Sequence, residues 1–279
     1  MRLITINGLQ TAYYIGGTGQ RGILLVHGWA SSGRMWLRHM WALRHDYRLL
    51  ALDLPGFGDS QPLETESCTI EQYADHAAAL CEALGIRPYA AVGHSMGGRI
   101  VLDLARRYPD LVERVVAISP AVTGRLGFNL DVFLLGPMGR ALKGITRKVW
   151  PVATAGAMSM YLAPRYLGSE AVQRTASDLR RASWGAVMGS LRALVDYDYS
   201  HHLPEIKQPT LVICGARDYT IPPGDSRLAA AALPHAQLLM LDHVHHQPTD
   251  ECPDVFLDAL RLFLAENGHE NGRSTEAHQ

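Results

Sequence analysis

A serine, an aspartate and a histidine, each placed just after its own apolar run, could share one reaction in this chain. Ser95 lies in Gly93-His94-Ser95-Met96-Gly97-Gly98, between the apolar run 89–92 and the helix-like run 99–105. This is a G-x-S-x-G pattern in a strand–turn–helix setting, which forces the serine onto a sharp turn with a helix N-terminus behind it. A serine hydroxyl is a weak nucleophile until a base takes its proton, and the base needs a carboxylate to orient it. Asp218 follows the run 210–214 in Gly215-Ala216-Arg217-Asp218, and His243, His245 and His246 follow the run 237–241. Serine, aspartate, histidine is the chain order that accompanies this kind of nucleophile turn. Taken singly, an aspartate after a glycine is most often a turn residue. The joint arrangement, rather than any one residue, points to acyl transfer. The residues alone leave open which of the three histidines is the base.

Acyl transfer also requires N–H donors aimed at the oxygen that becomes negative in the transition state. The Met96 N–H, next to the nucleophile, is one candidate. The second is the Trp29 N–H, in the loop His27-Gly28-Trp29-Ala30-Ser31-Ser32-Gly33 after the first core strand. Three neighbouring histidines could also suit a metal, but the acidic partners and cysteine spacing of a usual site are missing, so neither metal nor other cofactor is expected. Cys68, Cys81, Cys214 and Cys252 have no C-x-x-C spacing and read as reduced thiols in packing roles.

These groups need a scaffold that brings strand ends to one side. Residues 1–15 read as a β-hairpin turning at Asn7-Gly8. Strands are expected over 22–27, 47–53, 89–93, 112–119, 210–214 and 237–241, and helices over 33–44, 70–84, 96–107 and 254–265. Thr69 is the expected N-cap of the second helix, with Glu71 and Gln72 in its first turn and Gly85 as its stop. Alternation of helices with nearly continuous apolar strands implies a doubly wound, mostly parallel sheet covered on both faces. Ligands then bind outside the carboxyl ends of the strands. The alternation fails over 121–203, which reads as a helical insertion rich in Gly, Pro, Met and aromatic residues. Residues 267–279 are polar and without periodicity, and are expected to be a disordered tail.

The length of 279 residues, 47% hydrophobic and 19% charged, suits a globular protein, and the formal net charge of -1 gives no reason to expect nucleic acid. Neither an apolar leader at the N-terminus nor an uncharged run of about 20 residues is visible, so a cytoplasmic protein without a transmembrane segment is expected. Oligomeric state is not legible.

With His27-Gly28-Trp29, the loop Asp53-Leu54-Pro55-Gly56-Phe57-Gly58-Asp59-Ser60, the Ser95 turn, Gly215-Ala216-Arg217-Asp218 with Ile221-Pro222, and His246-Gln247-Pro248-Thr249-Asp250-Glu251-Cys252-Pro253, the chain resembles the α/β-hydrolase superfamily. The similarity runs over about residues 20–265, to the capped serine esterase, lipase and haloperoxidase-like branch. Family enzymes commonly read Gly-His-x-Pro-x-x-Glu-x-Pro around the base. Aligning Pro248, Glu251 and Pro253 to that pattern implies His246 as the base, with His245 where the family has glycine. The resemblance implies a core of residues 1–120 and 204–266, a helical cap over 121–203, and a structural role for the 53–60 loop. It implies a triad of Ser95, Asp218 and His246, with the Trp29 and Met96 amides as oxyanion hole. His94, Trp150, Met158, Met160, Tyr161, Trp184 and Met188 are candidates for the pocket wall. The expected reaction is hydrolysis by water of a small-molecule ester, small to medium and largely apolar. A C–C bond hydrolase or thioesterase with a dedicated metabolite, or a non-catalytic binding member of the fold, are the alternatives. Arg165, Arg180 or Arg181 aimed at Ser95 would favour the C–C hydrolase or thioesterase reading. Ten Lys or Arg against five Asp or Glu make the 121–203 segment mildly basic.

Overall fold

The structure, a computed structural model, describes residues 1–63, 68–127 and 169–265. Among these, eight strands form one sheet in the order β1-β2-β4-β3-β5-β6-β7-β8. The strands are β1 (Arg2–Ile6), β2 (Leu9–Gly16), β3 (Arg21–Val26), β4 (Tyr47–Leu52), β5 (Pro88–His94), β6 (Arg114–Ile118), β7 (Thr210–Gly215) and β8 (Ala236–Leu241). The β1–β2 and β2–β4 pairs are antiparallel, and all others are parallel. The first two strands form the expected hairpin, turning with Asn7 at φ 49° and Gly8 at φ 83°.

The parallel strands are apolar at successive positions because both faces are covered. In β3, Leu24 and Val26 face a cluster with Tyr73 and Leu80 of α2 (Ile70–Ala83) and Ile100 and Leu104 of α3 (Met96–Arg107). Ile23 and Leu25 face the opposite cluster, with Met40 and Leu43 of α1 (Leu37–Leu43). There the other covering helix comes from the chain's far end. It is α8 (Pro253–Ala265), which contributes Phe256, Leu260 and Phe263. Alternate residues of a strand point to opposite faces, so only an unbroken apolar run can satisfy both layers.

Caps and stops fall largely where the residue types place them. The Thr69 hydroxyl accepts from Gln72 N (3.2 Å) while Gln72 Oε1 accepts from Thr69 N (3.0 Å), a reciprocal cap that starts α2. The helix expected over 33–44 divides into a 3-10 turn at Gly33–Trp36 and α1. Gly33 N is held by Asp53 Oδ1 at 2.7 Å, so the first turn is tied to the carboxyl end of β4 rather than free to wind as α-helix. The strand expected over 112–119 is shorter, because Ser119 has φ 45° and leaves the extended region.

Chain order and spatial order together create a crevice. From β3 the chain moves to β4 on one side, and from β5 to β6 on the other, so the strand order reverses between the neighbours β3 and β5. Loops from the carboxyl ends of such a pair diverge and leave room for a ligand. They are the loops of Gly28 and Ser95. Between β6 and β7 lie α4 (Ser169–Arg181) and α5 (Trp184–Val195), the described α-helices of the 121–203 segment. After β7 come α6 (Pro223–Ala232) and, past β8, α7 (Pro248–Glu251). No helix among the described residues is long and apolar enough to cross a membrane. Residues 267–279, expected as a tail, lie outside the described residues.

Candidate active site

Ser95 occupies the single residue between β5 and α3, with φ 57° and ψ −115°. A non-glycine residue in that region is strained by about 1–3 kcal/mol and persists only where its surroundings over-determine it. The Ser95 N–H donates to Ile118 O of β6 (2.7 Å), and its carbonyl accepts from Arg99 N (3.2 Å) inside α3. The turn is so tight that a Cβ on Gly93 would lie 2.0 Å from Gly97 O, and one on Gly97 2.4 Å from Val26 O. Only glycine fits at either position, which explains the pattern around the serine. Met96 opens α3, where the first backbone N–H groups have no partner within the helix.

The loop after β3 lies directly against this turn: a Cβ built on Gly28 would stand 3.3 Å from Ser95 Cβ. Two buried side chains hold the loop. Neutral His27 donates from Nδ1 to Gly28 O (2.7 Å) and accepts at Nε2 from Leu54 N (3.0 Å). Asp53 accepts from the N–H groups of Gly33 (2.7 Å) and Asp59 (2.8 Å), which gives the 53–60 loop its anchor.

Asp218 and His246 meet across two loops. His246 Nδ1 is 2.8 Å from Asp218 Oδ2, with the carboxylate side chain fully buried and the imidazole 16% exposed. The other carboxylate oxygen accepts from Thr220 N (2.8 Å) and Ile221 N (3.0 Å). Asp218 is thus both the turn residue its glycine neighbour suggests and the partner of a histidine. Burial alone would raise its carboxyl. The His246 charge and hydrogen bond, with the two amides, outweigh this and hold it below the ordinary value. A carboxylate on Nδ1 fixes the proton there and leaves the Nε2 lone pair available.

The three neighbouring histidines have separate fates. His243 is exposed at φ 65°, and His245 pairs through Nδ1 with Glu251 Oε2 (2.9 Å), whereas His246 faces Asp218. No group of three or more His, Cys, Asp or Glu among the described residues is arranged to hold a metal ion. His94, a pocket candidate, is 4% exposed, and its Nε2 bonds His246 O at 2.7 Å. Trp184 and Met188 pack against the cluster on the α2–α3 side of the sheet. Trp150, Met158, Met160, Tyr161 and Arg165 lie outside the described residues. Arg180 is exposed, and Arg181 is engaged by Asp59.

The helices α4 and α5 are fastened to the loops that carry these groups. Arg174 grips Asp250 of α7 in bidentate fashion (2.6 and 3.2 Å). Asp178 is paired with Arg34, after the Trp29 loop, and Arg181 with Asp59. Residues 174, 178 and 181 share one helix face, so a single face of α4 meets three different loops. Trp29 Nε1 donates to Val187 O of α5 at 2.9 Å. The pairs Arg34–Asp178 and His27–Gly28, and the grip of Glu251 described below, were not separable by sequence. Each joins residues whose spacing carries no periodic signal.

Electrostatics of the buried groups give one expected result. Burial pushes His27 and His76 down to about 4, and burial followed by the His246 charge pushes His94 down to about 3. An unfolded histidine binds its proton near pH 6.5, so the unfolded chain takes up protons first and stability falls as pH drops from about 6.5 to 4. The cost is about 1.4 kcal/mol per pH unit for each histidine. Burial raises Asp53 to about 6, and its folded carboxyl gains a proton in the same window, offsetting one of the three. Thermal melts from pH 7 to pH 4 should show a steep loss of Tm, shallower in His76→Gln. A flat profile would contradict the assignment of neutral buried imidazoles.

A family model for the alpha/beta hydrolase fold matches residues 23–251. The chain belongs to this family. It is 30% identical over 252 residues to a protein of Pseudomonas syringae pv. syringae provisionally named carbamate hydrolase RutD, covering 87% of this chain and 93% of the relative. Among solved structures it is similar to a thermophilic esterase from Thermogutta terrifontis, with 25% identity, a TM-score of 0.78, and 95% and 98% of the two chains covered. A hydrolase from Pseudomonas aeruginosa superposes with a TM-score of 0.82 at 25% identity, again covering 95% and 98%. The eight-stranded, mostly parallel sheet flanked by helices is thus an alpha/beta hydrolase fold.

Proposed function

We propose that the protein is a serine hydrolase that cleaves carboxylic esters of small to medium, largely apolar substrates. The observation that carries this reading is the 2.8 Å contact of His246 with Asp218, together with a serine held on a strained turn whose preceding residue, His94, packs its ring against that of His246. In the first step Ser95 Oγ attacks the ester carbonyl carbon while His246 Nε2 takes its proton. The carbonyl oxygen, now negative, is met by the Met96 and Trp29 N–H groups. The intermediate collapses, the alcohol leaves with the proton from His246, and an acyl group stays on Ser95. Water, deprotonated by the same imidazole, then releases the acid and restores the serine.

The segment 121–203 serves in this reading as a cap, separate from a core of 1–120 and 204–266, and the three ion pairs of α4 to Arg34, Asp59 and Asp250 support it. The likeness to a thermophilic esterase supports the ester bond. The name of the Pseudomonas syringae relative favours a second reading, a carbamate, whose carbonyl would add to Ser95 in the same way. A panel of p-nitrophenyl esters of graded chain length, with an aryl carbamate, a thioester and a vinylogous diketone, separates these. Esters should turn over fastest. Ester rates no higher than those of Ser95→Ala, with another class hydrolysed, would overturn the ester reading.

Gly215 offers a test of the base loop. A Cβ there would stand 2.1 Å from His245 O and 2.2 Å from Val244 O, so the loop carrying His246 must retreat. Gly215→Ala is expected to lower kcat by about a hundredfold, the cost of a displacement near 1 Å. Wild-type kcat with a folded variant would show that the loop tolerates the shift.

A further inference from the structure

His246 hangs from an irregular loop, and its side chain alone does not hold it in place. The loop leaves β8 through His243 at φ 65° and reaches α7 only at Pro248. Its backbone is nevertheless gripped on three sides of residue 246. Glu251, whose side chain is 8% exposed, accepts at Oε2 from His245 N (2.9 Å) and at Oε1 from Gln247 N (3.0 Å). The same Oε2 takes His245 Nδ1 at 2.9 Å, which steadies the carboxylate itself. The remaining group, His246 O, is 2.7 Å from Nε2 of His94. A carbonyl can only accept, so this nitrogen carries the proton and donates.

His94 is the residue before Ser95 and the last of β5, paired in register with Ile118 of β6. Its ring is buried against that of His246, with centroids 4.8 Å apart and planes at 53°. The side chain therefore ties the base loop to the strand end that also fixes the nucleophile.

We propose that His94 and Glu251 are positioning residues that set His246 against Ser95 through its backbone. This inference rests on the triad reading above. The carboxylate bond to Nδ1 limits rotation of the ring, and the backbone grips on either side of residue 246 help to fix how far Nε2 stands from the serine. Misplacement by about 1 Å can cost a hundredfold in rate.

The test compares wild type, Ser95→Ala, His94→Phe, His94→Gln and Glu251→Ala on p-nitrophenyl butyrate. His94→Phe keeps a ring but no donor, and should lower kcat by about a hundredfold with little change in KM. His94→Gln, whose amide nitrogen reaches the place of Nε2, should recover most of that loss. Glu251→Ala should behave like His94→Phe. A merely structural role would not give donor-specific rescue. Folded His94→Phe with wild-type kcat, or His94→Gln no better than folded His94→Phe, would overturn the proposal. If His94→Phe does not melt cooperatively, Glu251→Ala decides: wild-type kcat there overturns it. The downfield proton resonance of His246 Nδ1–H, identified by its loss in Asp218→Ala, reports the same positioning without substrate. It should broaden in His94→Phe and return in His94→Gln. A wild type inactive on this ester would sink the ester reading, whereas an unchanged resonance in His94→Phe would sink this one.

Discussion

Ser95→Ala is expected to lose ester hydrolysis by roughly 10⁴-fold or more, leaving only what the oxyanion donors and binding supply. Stability separates this loss from a folding defect. Alanine inherits the strained backbone of Ser95 at φ 57°, whereas glycine accepts it freely. Ser95→Gly should therefore be equally inactive yet more stable than Ser95→Ala by about 1 kcal/mol, once glycine's extra unfolded-state entropy is subtracted from the relieved strain. Denaturant melts of the two variants, with single-turnover rates, check both halves. Equal stability would mean that the strain relieved at this turn is no larger than glycine's extra unfolded-state entropy, and substantial activity in either would remove Ser95 from the chemistry.

Asp218→Asn should lower kcat by about 10³- to 10⁴-fold at neutral pH while leaving the fold nearly intact. The asparagine carbonyl can still accept from Thr220 N and Ile221 N, as Asp218 Oδ1 does at 2.8 and 3.0 Å. What it cannot do is hold the His246 Nδ1 proton with a charge, so the imidazole loses its orientation and the stabilisation of its charged form. Asp218→Ala removes both functions. It leaves two N–H groups without an acceptor and should cost about 1–3 kcal/mol in addition to activity. Comparing Tm and kcat across the two variants divides the turn role of Asp218 from its role toward the base. Asparagine and alanine variants with the same Tm would show that the two amides find other partners.

Much of the fold was readable because it rests on local signals. The apolar runs at 23–26 and 90–92 could only be strands buried on both faces, and their two clusters bear this out residue by residue. The Asn7-Gly8 turn and the Thr69 cap were equally local. The division of the 33–44 helix was not, because it depends on Asp53 reaching back to Gly33 from the next strand. At the site, Ser95 and Asp218 stood out through their glycine settings. Choosing His246 over its neighbours needed family register, since three histidines within four positions look alike in one dimension. The structure separates them by partner: Asp218 for His246 and Glu251 for His245. The pocket wall was the least legible part. Met and aromatic residues over 121–203 signal apolar packing without saying what they pack against, and Met188 joins the core cluster.

The central claim is that Ser95, Asp218 and His246 act as one unit, and active-site labelling tests it most directly. Wild-type protein treated with a fluorophosphonate should carry a single adduct, located by peptide mass spectrometry on Ser95, and the modification should slow by orders of magnitude in folded His246→Ala. An unmodified wild type, an adduct on another residue, or labelling that ignores the loss of His246 would contradict it.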